Sequence, residues 1–198
     1  MKDFVNIILI VAIIGFSGFL IIVGFIPLPK FITNNLDLKK MTDGDTIQIQ
    51  GIGHFNYSIL LKTKQIIESK YGLPTKIVQP IVLTSEYYIN NKIDCNKCLS
   101  DFDDNQNKIL VSNEVLYSTN SNKEIEGVAE MCGNIVVIGK TSNEVFKVVI
   151  IHEIGHNQGL SHCNDPTCLM FKKMKTTESS KVLCKKCNNI FYYKPIYK

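Results

Sequence analysis

The run His152 to Cys163, H-E-I-G-H-N-Q-G-L-S-H-C, constrains this chain more than any other stretch. His152 and His156 stand four residues apart. On an α-helix that spacing stacks both rings on one face, where both can hold one metal ion. Glu153 follows the first of them and can orient and deprotonate a water that the metal activates. Gly159 falls where the helix must stop. Its access to positive φ lets the chain turn sharply, so that His162 can return as a third ligand. Three neutral imidazoles with an open fourth position describe a catalytic zinc site, not a closed structural one. Such a site needs a helix leading into the run, a floor beneath it and a cleft above it.

The sequence upstream supplies candidates for all three. Thr141 and Glu144 stand in capping-box register, T-x-x-E, ahead of the run. Val145, Val149, His152 and His156 then share one helical face, so the ligands continue a core-facing stripe. Thr46 to Ile52 alternates as a strand does, and Tyr57 to Tyr71 has helical spacing with Gly72 as its cap. Thr75 to Leu83 reads as a second strand, with Pro80 marking an edge or a bulge. Ser85 to Asn107 is polar and reads as a long loop with room for a short helix. Lys108 to Val115, Ile125 to Met131 and Asn134 to Gly139 are further strand candidates. Lys172 to Leu183 is a lysine-rich stretch of helical composition, and no internal repeat is present.

At 198 residues the chain has room for one domain with a sizeable core and an appendage. Phe4 to Ile26 is almost wholly apolar and long enough, at ~1.5 Å per helical residue, to cross a ~30 Å hydrocarbon core. No A-x-A-like cleavage site follows it, and Pro27 and Pro29 end it. The expected organisation is a transmembrane anchor over 1–27, a linker over 28–45 and a folded domain over 46–198. Lys30, Lys39 and Lys40 after the span, against Lys2 before it, favour the domain on the cytoplasmic side of a single-pass membrane protein, the alternative being a signal anchor with Lys2 inside and the domain outside. The net charge of +4 is no argument for nucleic acid, since every basic residue is a lysine and lysine is spread throughout. The tail's Phe191, Tyr192, Tyr193 and Tyr197 among lysines suit anionic headgroups as well as they suit single strands.

The seven cysteines are Cys95, Cys98, Cys132, Cys163, Cys168, Cys184 and Cys187. An odd number with close-spaced pairs matches metal-ligand spacing better than a secreted disulfide framework, and favours a reducing compartment. The histidine run followed at once by Cys163, then Cys168-Leu169-Met170, then Cys184-x-x-Cys187, resembles the archaemetzincin family of the metzincin clan of zinc metallopeptidases. The match covers Thr141 to Cys187. The resemblance implies an α+β fold: a twisted mixed sheet, an active-site helix and a short C-terminal subdomain. It implies a catalytic zinc on His152, His156 and His162, with Glu153 as general base and Met170 as the Met-turn residue under the metal. It implies a second, structural zinc on Cys163, Cys168, Cys184 and Cys187. Four thiolates in two close pairs independently suit a closed tetrahedral site. The interval from Met170 to Cys184 is shorter than is usual in the family, by about one helical turn. Ser85 to Val115 also reads as contracted, and the family's Arg-containing motif there has no counterpart.

The expected function is therefore peptide-bond hydrolysis by a zinc-activated water, with two zinc ions per chain and a peptide or protein as substrate. Endopeptidase and aminopeptidase action both stay open, as does a zinc hydrolase of another substrate. The rival is a membrane-tethered zinc-binding structural or regulatory module without turnover. Ile125 to Met131 lies where metzincins place the edge strand that pairs with an extended peptide, and a plain edge strand is the alternative. Cys95 and Cys98 read as a loop staple or bare thiols, and Cys132 as a buried thiol. Nothing in the sequence names substrate-binding residues or an oligomeric state.

Overall fold

The computed structural model describes residues 46–172 and 182–193, the side chains of 191–193 excepted. The apolar run over 4–26, the linker over 28–45 and nearly all of the lysine-rich stretch after Lys172 lie outside the described residues. Among the described residues, no helix is long and apolar enough to cross a membrane.

In chain order the elements are β1 (Ile47–Gly51), α1 (Tyr57–Tyr71), β2 (Thr75–Ile77), a 3₁₀ turn (Ser85–Tyr87), β3 (Tyr88–Ile89), β4 (Lys92–Asp94) and α2 (Cys95–Asp101). Then follow β5 (Lys108–Val111), β6 (Leu116–Ser118), β7 (Lys123–Ile125), β8 (Gly127–Ala129), β9 (Ile135–Ile138), α3 (Asn143–Asn157) and α4 (Lys185–Tyr193). The mixture of helices with parallel and antiparallel strands is the expected α+β class.

The main sheet has the order β2-β1-β5-β9-β8. Its first four strands run parallel, and β8 lies antiparallel to β9 at one end. β5 and β9 are buried at every position, which explains the apolar runs Ile109–Val111 and Ile135–Ile138: a strand inside a parallel sheet is covered on both faces. Lys108, which opens β5, is buried with its ammonium donating to Phe102 O and Asp104 Oδ2. One face carries Ile47, Ile49, Ile109, Val111, Val136 and Ile138 against α1 and α3. The other packs Leu110, Ile135 and Val137 against α2 and Leu116. The site helix thus rests on a sheet that is itself packed from below.

Several expectations need correction. Thr75 to Leu83 is not one strand. β2 stops at Ile77, and the chain rejoins β1 only at Ile81, whose N–H donates to the Gly51 carbonyl at 2.9 Å. Pro80 has no N–H to give, so pairing breaks around it at the sheet edge. Ser85 to Asn107 is not a long loop. Asn90 and Asn91, at φ 50° and 62°, form a tight turn that pairs β3 with β4. Asp94 then caps α2, accepting from the N–H groups of Asn96 and Lys97. β3, β4, β6 and β7 form a second sheet that sequence reasoning missed, because each strand has only two or three residues. The Ile125 to Met131 candidate divides at Glu126, with Ile125 in this second sheet and Gly127–Ala129 in the main one.

Cys95 and Cys98 lie on α2, fully buried as free thiols in the core beneath the main sheet. Of the two expected alternatives they are bare thiols, on a helix instead of a loop. Burial pushes both thiols up to about 12. They are expected to resist a thiol-specific reagent in the native, zinc-loaded protein at pH 8 and to react on denaturation. Mass spectrometry of the labelled cysteines checks this, and labelling of either without unfolding contradicts the packing described.

Candidate metal centre

α3 begins at Asn143, not at the anticipated capping box. Ser142 occupies the N-cap position without a side-chain bond to the helix, and Thr141 Oγ1 instead bonds Glu126 Oε1 at 3.3 Å. The helix is driven by burial: from Val148 to Asn157 every residue is buried. Its C-terminus is a Schellman turn. Gly159, at φ 80°, donates to His156 O at 2.8 Å, and Leu160 N–H reaches back to Gly155 O at 2.9 Å. The turn reverses the chain and brings His162 back over the helix.

The three histidines converge. Their candidate ligand nitrogens all lie within 4.8 Å of one another. His152 Nδ1 meets Leu169 O at 2.8 Å, and His156 Nδ1 meets Leu160 O at 2.7 Å. A carbonyl can only accept, so both Nδ1 atoms carry the proton and both Nε2 atoms present bare lone pairs. Those two Nε2 atoms face each other at 3.1 Å. A tetrahedral zinc with ~2.0–2.1 Å bonds would set them ~3.3 Å apart. Protonation would not relieve the opposition, since burial pushes His152 down to about 4 and lowers His156 as well. Two inward lone pairs at this separation suit a shared cation. His162 is exposed and closes the third side; burial, then the Lys172 charge, lowers its affinity for a proton.

Glu153 is only 5 % exposed, and burial pushes its carboxyl up to about 8. It lines a cleft of about 300 Å³ with Gly127, Val128, Ala129, Met131 and the three histidines. β8 therefore forms one wall of the site. Gly127 makes the approach possible. A Cβ there would stand 2.7 Å from Val149 Cγ1 and 2.9 Å from Glu153 Cγ, closer than atoms pack. A glycine inside a strand candidate was the sequence signal for this contact, and it was overlooked.

Met170 is fully buried and packs against Gly155 of α3. A Cβ at Gly155 would come within 2.6 Å of its sulfur, so the glycine between the two helical histidines is a seat for this methionine. Cys163, Cys168, Cys184 and Cys187 form a second cluster, with sulfurs within 4.8 Å of one another. The Cys163 and Cys184 sulfurs are 3.7 Å apart, far from a ~2.0 Å disulfide and near the ~3.8 Å edge of a tetrahedron with ~2.3 Å metal–sulfur bonds. A backbone N–H from Cys187 holds the Cys184 thiol below its usual range, while burial raises Cys168. Both donor sets suit zinc: one has an open side, the other is closed. Cys132, at φ 60°, joins neither set; its N–H donates to His156 O at 3.1 Å.

A family model described as Matrixin, peptidase family M10, matches residues 79–189, more than half of the chain. No curated protein matches the sequence. The fold is similar to the crystal structure of archaemetzincin from Methanopyrus kandleri, at TM-score 0.58 and 18 % identity over 76 % of this chain and 96 % of that one. Archaemetzincin from Archaeoglobus fulgidus, complexed with malonate, gives 0.58 and 18 % over 73 % and 99 %. A zinc-dependent peptidase from Methanocorpusculum labreanum gives 0.56 and 18 % over 73 % and 99 %. At these identities the likeness is one of fold.

The buried carboxyl sets a pH dependence. Folding raises the Glu153 pKa, so the native state holds that proton more tightly than the unfolded chain, where a glutamate titrates near ~4.3. Metal-free protein should lose this contribution as pH rises from ~4.3 through about 8. The lowered imidazoles have the opposite sign, and their gain is complete above ~6.5. Denaturant titrations of chelator-treated protein between pH ~6.5 and ~8 should therefore show wild type losing stability relative to Glu153→Gln. Parallel curves for the two proteins would refute the burial argument.

Proposed function

The chain belongs to the Matrixin family of zinc peptidases, and from that premise we propose that it cleaves peptides laid along β8, with Glu153 as the general base. The observation that carries this reading is the shared cleft: three converging imidazoles, one buried carboxyl and, in β8, a strand edge unpaired among the described residues.

His152, His156 and His162 would hold the catalytic zinc. When bound, zinc supplies Lewis-acid polarisation of the scissile carbonyl and of water. Glu153 takes a proton from the attacking water on its carboxylate and returns it to the departing amine nitrogen. Burial suits it to that exchange, because a carboxyl raised toward neutral pH can both accept and release the proton. The fold helix of the site keeps the carboxyl beside the reacting position without a long search.

β8 supports the binding half of the reading. Glu130 N–H donates to Ile135 O at 3.2 Å, and Gly139 N–H donates to Glu126 O at 2.9 Å. Alternation along an antiparallel pair then turns the N–H and C=O of Gly127 and Ala129 away from β9. An extended substrate would pair with those groups as an added strand. Cys163, Cys168, Cys184 and Cys187 would hold the structural zinc and tie α4 to the turn that carries His162.

Glu153→Ala should lower turnover of a peptide library by ~10²–10⁴-fold, the usual contribution of a general base. Metal analysis of both proteins should return two zinc ions per chain. The cleavage positions separate internal cuts from removal of terminal residues. Equal cleavage by wild type and variant would end the assignment of Glu153, and zinc binding without any turnover would favour a structural module.

Residues 4–26 are proposed to anchor the domain to a membrane, with the thiol-rich part on the cytoplasmic side. The apolar length and the lysines that follow it support this reading. In membrane flotation the full chain should rise with lipid, and a chain beginning at Thr46 should stay behind. A full chain that stays with the soluble fraction would remove the anchor from the account.

A further inference from the structure

Asn157 follows the second helical histidine and ends α3. It is 5 % exposed, and its side chain points at the connection between β8 and β9. Its Nδ2 donates to Glu130 O at 2.8 Å and to Ile135 O at 3.1 Å. Those two carbonyls belong to the residue pair that closes the β8–β9 hairpin. A third bond, from Cys132 N–H to His156 O at 3.1 Å, ties the intervening loop to the same turn of α3.

The amide is the only short side chain that offers two protons from one atom. Its orientation follows from its partners. A reversed amide would set its oxygen against two carbonyl oxygens, which repel it. In the observed orientation Oδ1 is buried with no hydrogen-bond partner among the described residues. A buried acceptor left unmade opposes folding, so the two donated bonds carry the arrangement.

We propose that Asn157 is a positioning residue for substrate: it sets the height of the β8 edge over the metal helix. The inference rests on the reading of β8 as the strand that substrate joins. The clamp acts one residue beyond Ala129, whose N–H and C=O face outward. It acts from the residue after His156, so strand and ligand are gauged from one point on α3. Glutamine would place its amide too far along, and aspartate would turn an acceptor toward two carbonyls.

Asn157→Asp and Asn157→Ala, made in the full chain, test this against wild type with an extended peptide of about eight residues. The KM for that peptide should rise ~10-fold, the size of one hydrogen bond lost between the peptide and β8, while kcat changes much less and zinc content holds at the wild-type value. Hydrogen exchange read by mass spectrometry should show faster exchange over 128–135, with α3 protection kept. A fall in kcat at unchanged KM, loss of zinc, or unaltered exchange over 128–135 would each overturn the proposal. Failure of both variants to fold would also overturn it, since Asn157 would then be a core requirement. If wild type cleaves no peptide, the peptidase reading fails by itself, and the exchange data still decide whether the clamp exists.

Discussion

Two hydrogen bonds to carbonyl oxygens set the chemistry of this site: His152 Nδ1–H to Leu169 O and His156 Nδ1–H to Leu160 O. They fix the tautomer of each ring and aim both Nε2 lone pairs at one point. Each carbonyl is delivered by a different device. Leu160 is placed by the Schellman turn that Gly159 permits. Leu169 is placed by the turn above Met170, whose carbonyl accepts from Cys163 N–H at 2.7 Å, while Leu169 N–H donates to Val182 O at 2.8 Å. Without both acceptors, the histidine spacing would bring two rings together and leave their protons unassigned.

The two donor clusters depend on one loop. His162 and Cys163 are adjacent, yet one faces the open cleft and the other the closed thiol cluster. A structural zinc on four thiolates contributes apparent binding free energies of ~10–16 kcal/mol in small folded units, comparable with the whole stability of a domain at ~5–15 kcal/mol. Such a brace can hold a turn that lacks a large apolar core of its own. Met170 packs against α3, and the missing side chain of Gly155 makes its seat. Small residues here serve proximity: Gly155 admits Met170, and Gly127 admits Val149 and Glu153.

Legibility differed by region for physical reasons. α1 was readable because an apolar spacing and a closing glycine, Gly72, agree along fifteen residues; the structure adds Asn56 as the N-cap. β5 and β9 were readable because strands covered on both faces carry continuous apolar runs, Ile109–Val111 and Ile135–Ile138. The second sheet was not, since strands of two or three residues carry no periodicity. Its strongest local clue, Asn90-Asn91, works through backbone conformation instead of hydrophobicity. Cys95 and Cys98 look like half a metal site when only spacing is considered. Burial in an apolar layer, away from any third donor among the described residues, makes them core thiols.

The sequence by itself determined which imidazoles and which thiols could gather as metal donors, and the helical spacing that lets two histidines share a face. These are local properties, carried by residue type and by the 3.6-residue turn. Tertiary structure decided the rest. It chose the carbonyls that fix the histidine protons, the depth that raises Glu153, and the strand edge that stands over the metal helix. Those depend on residues distant in the chain, such as Leu169 for His152 and Gly127 for Glu153, and no periodicity records contacts of that range.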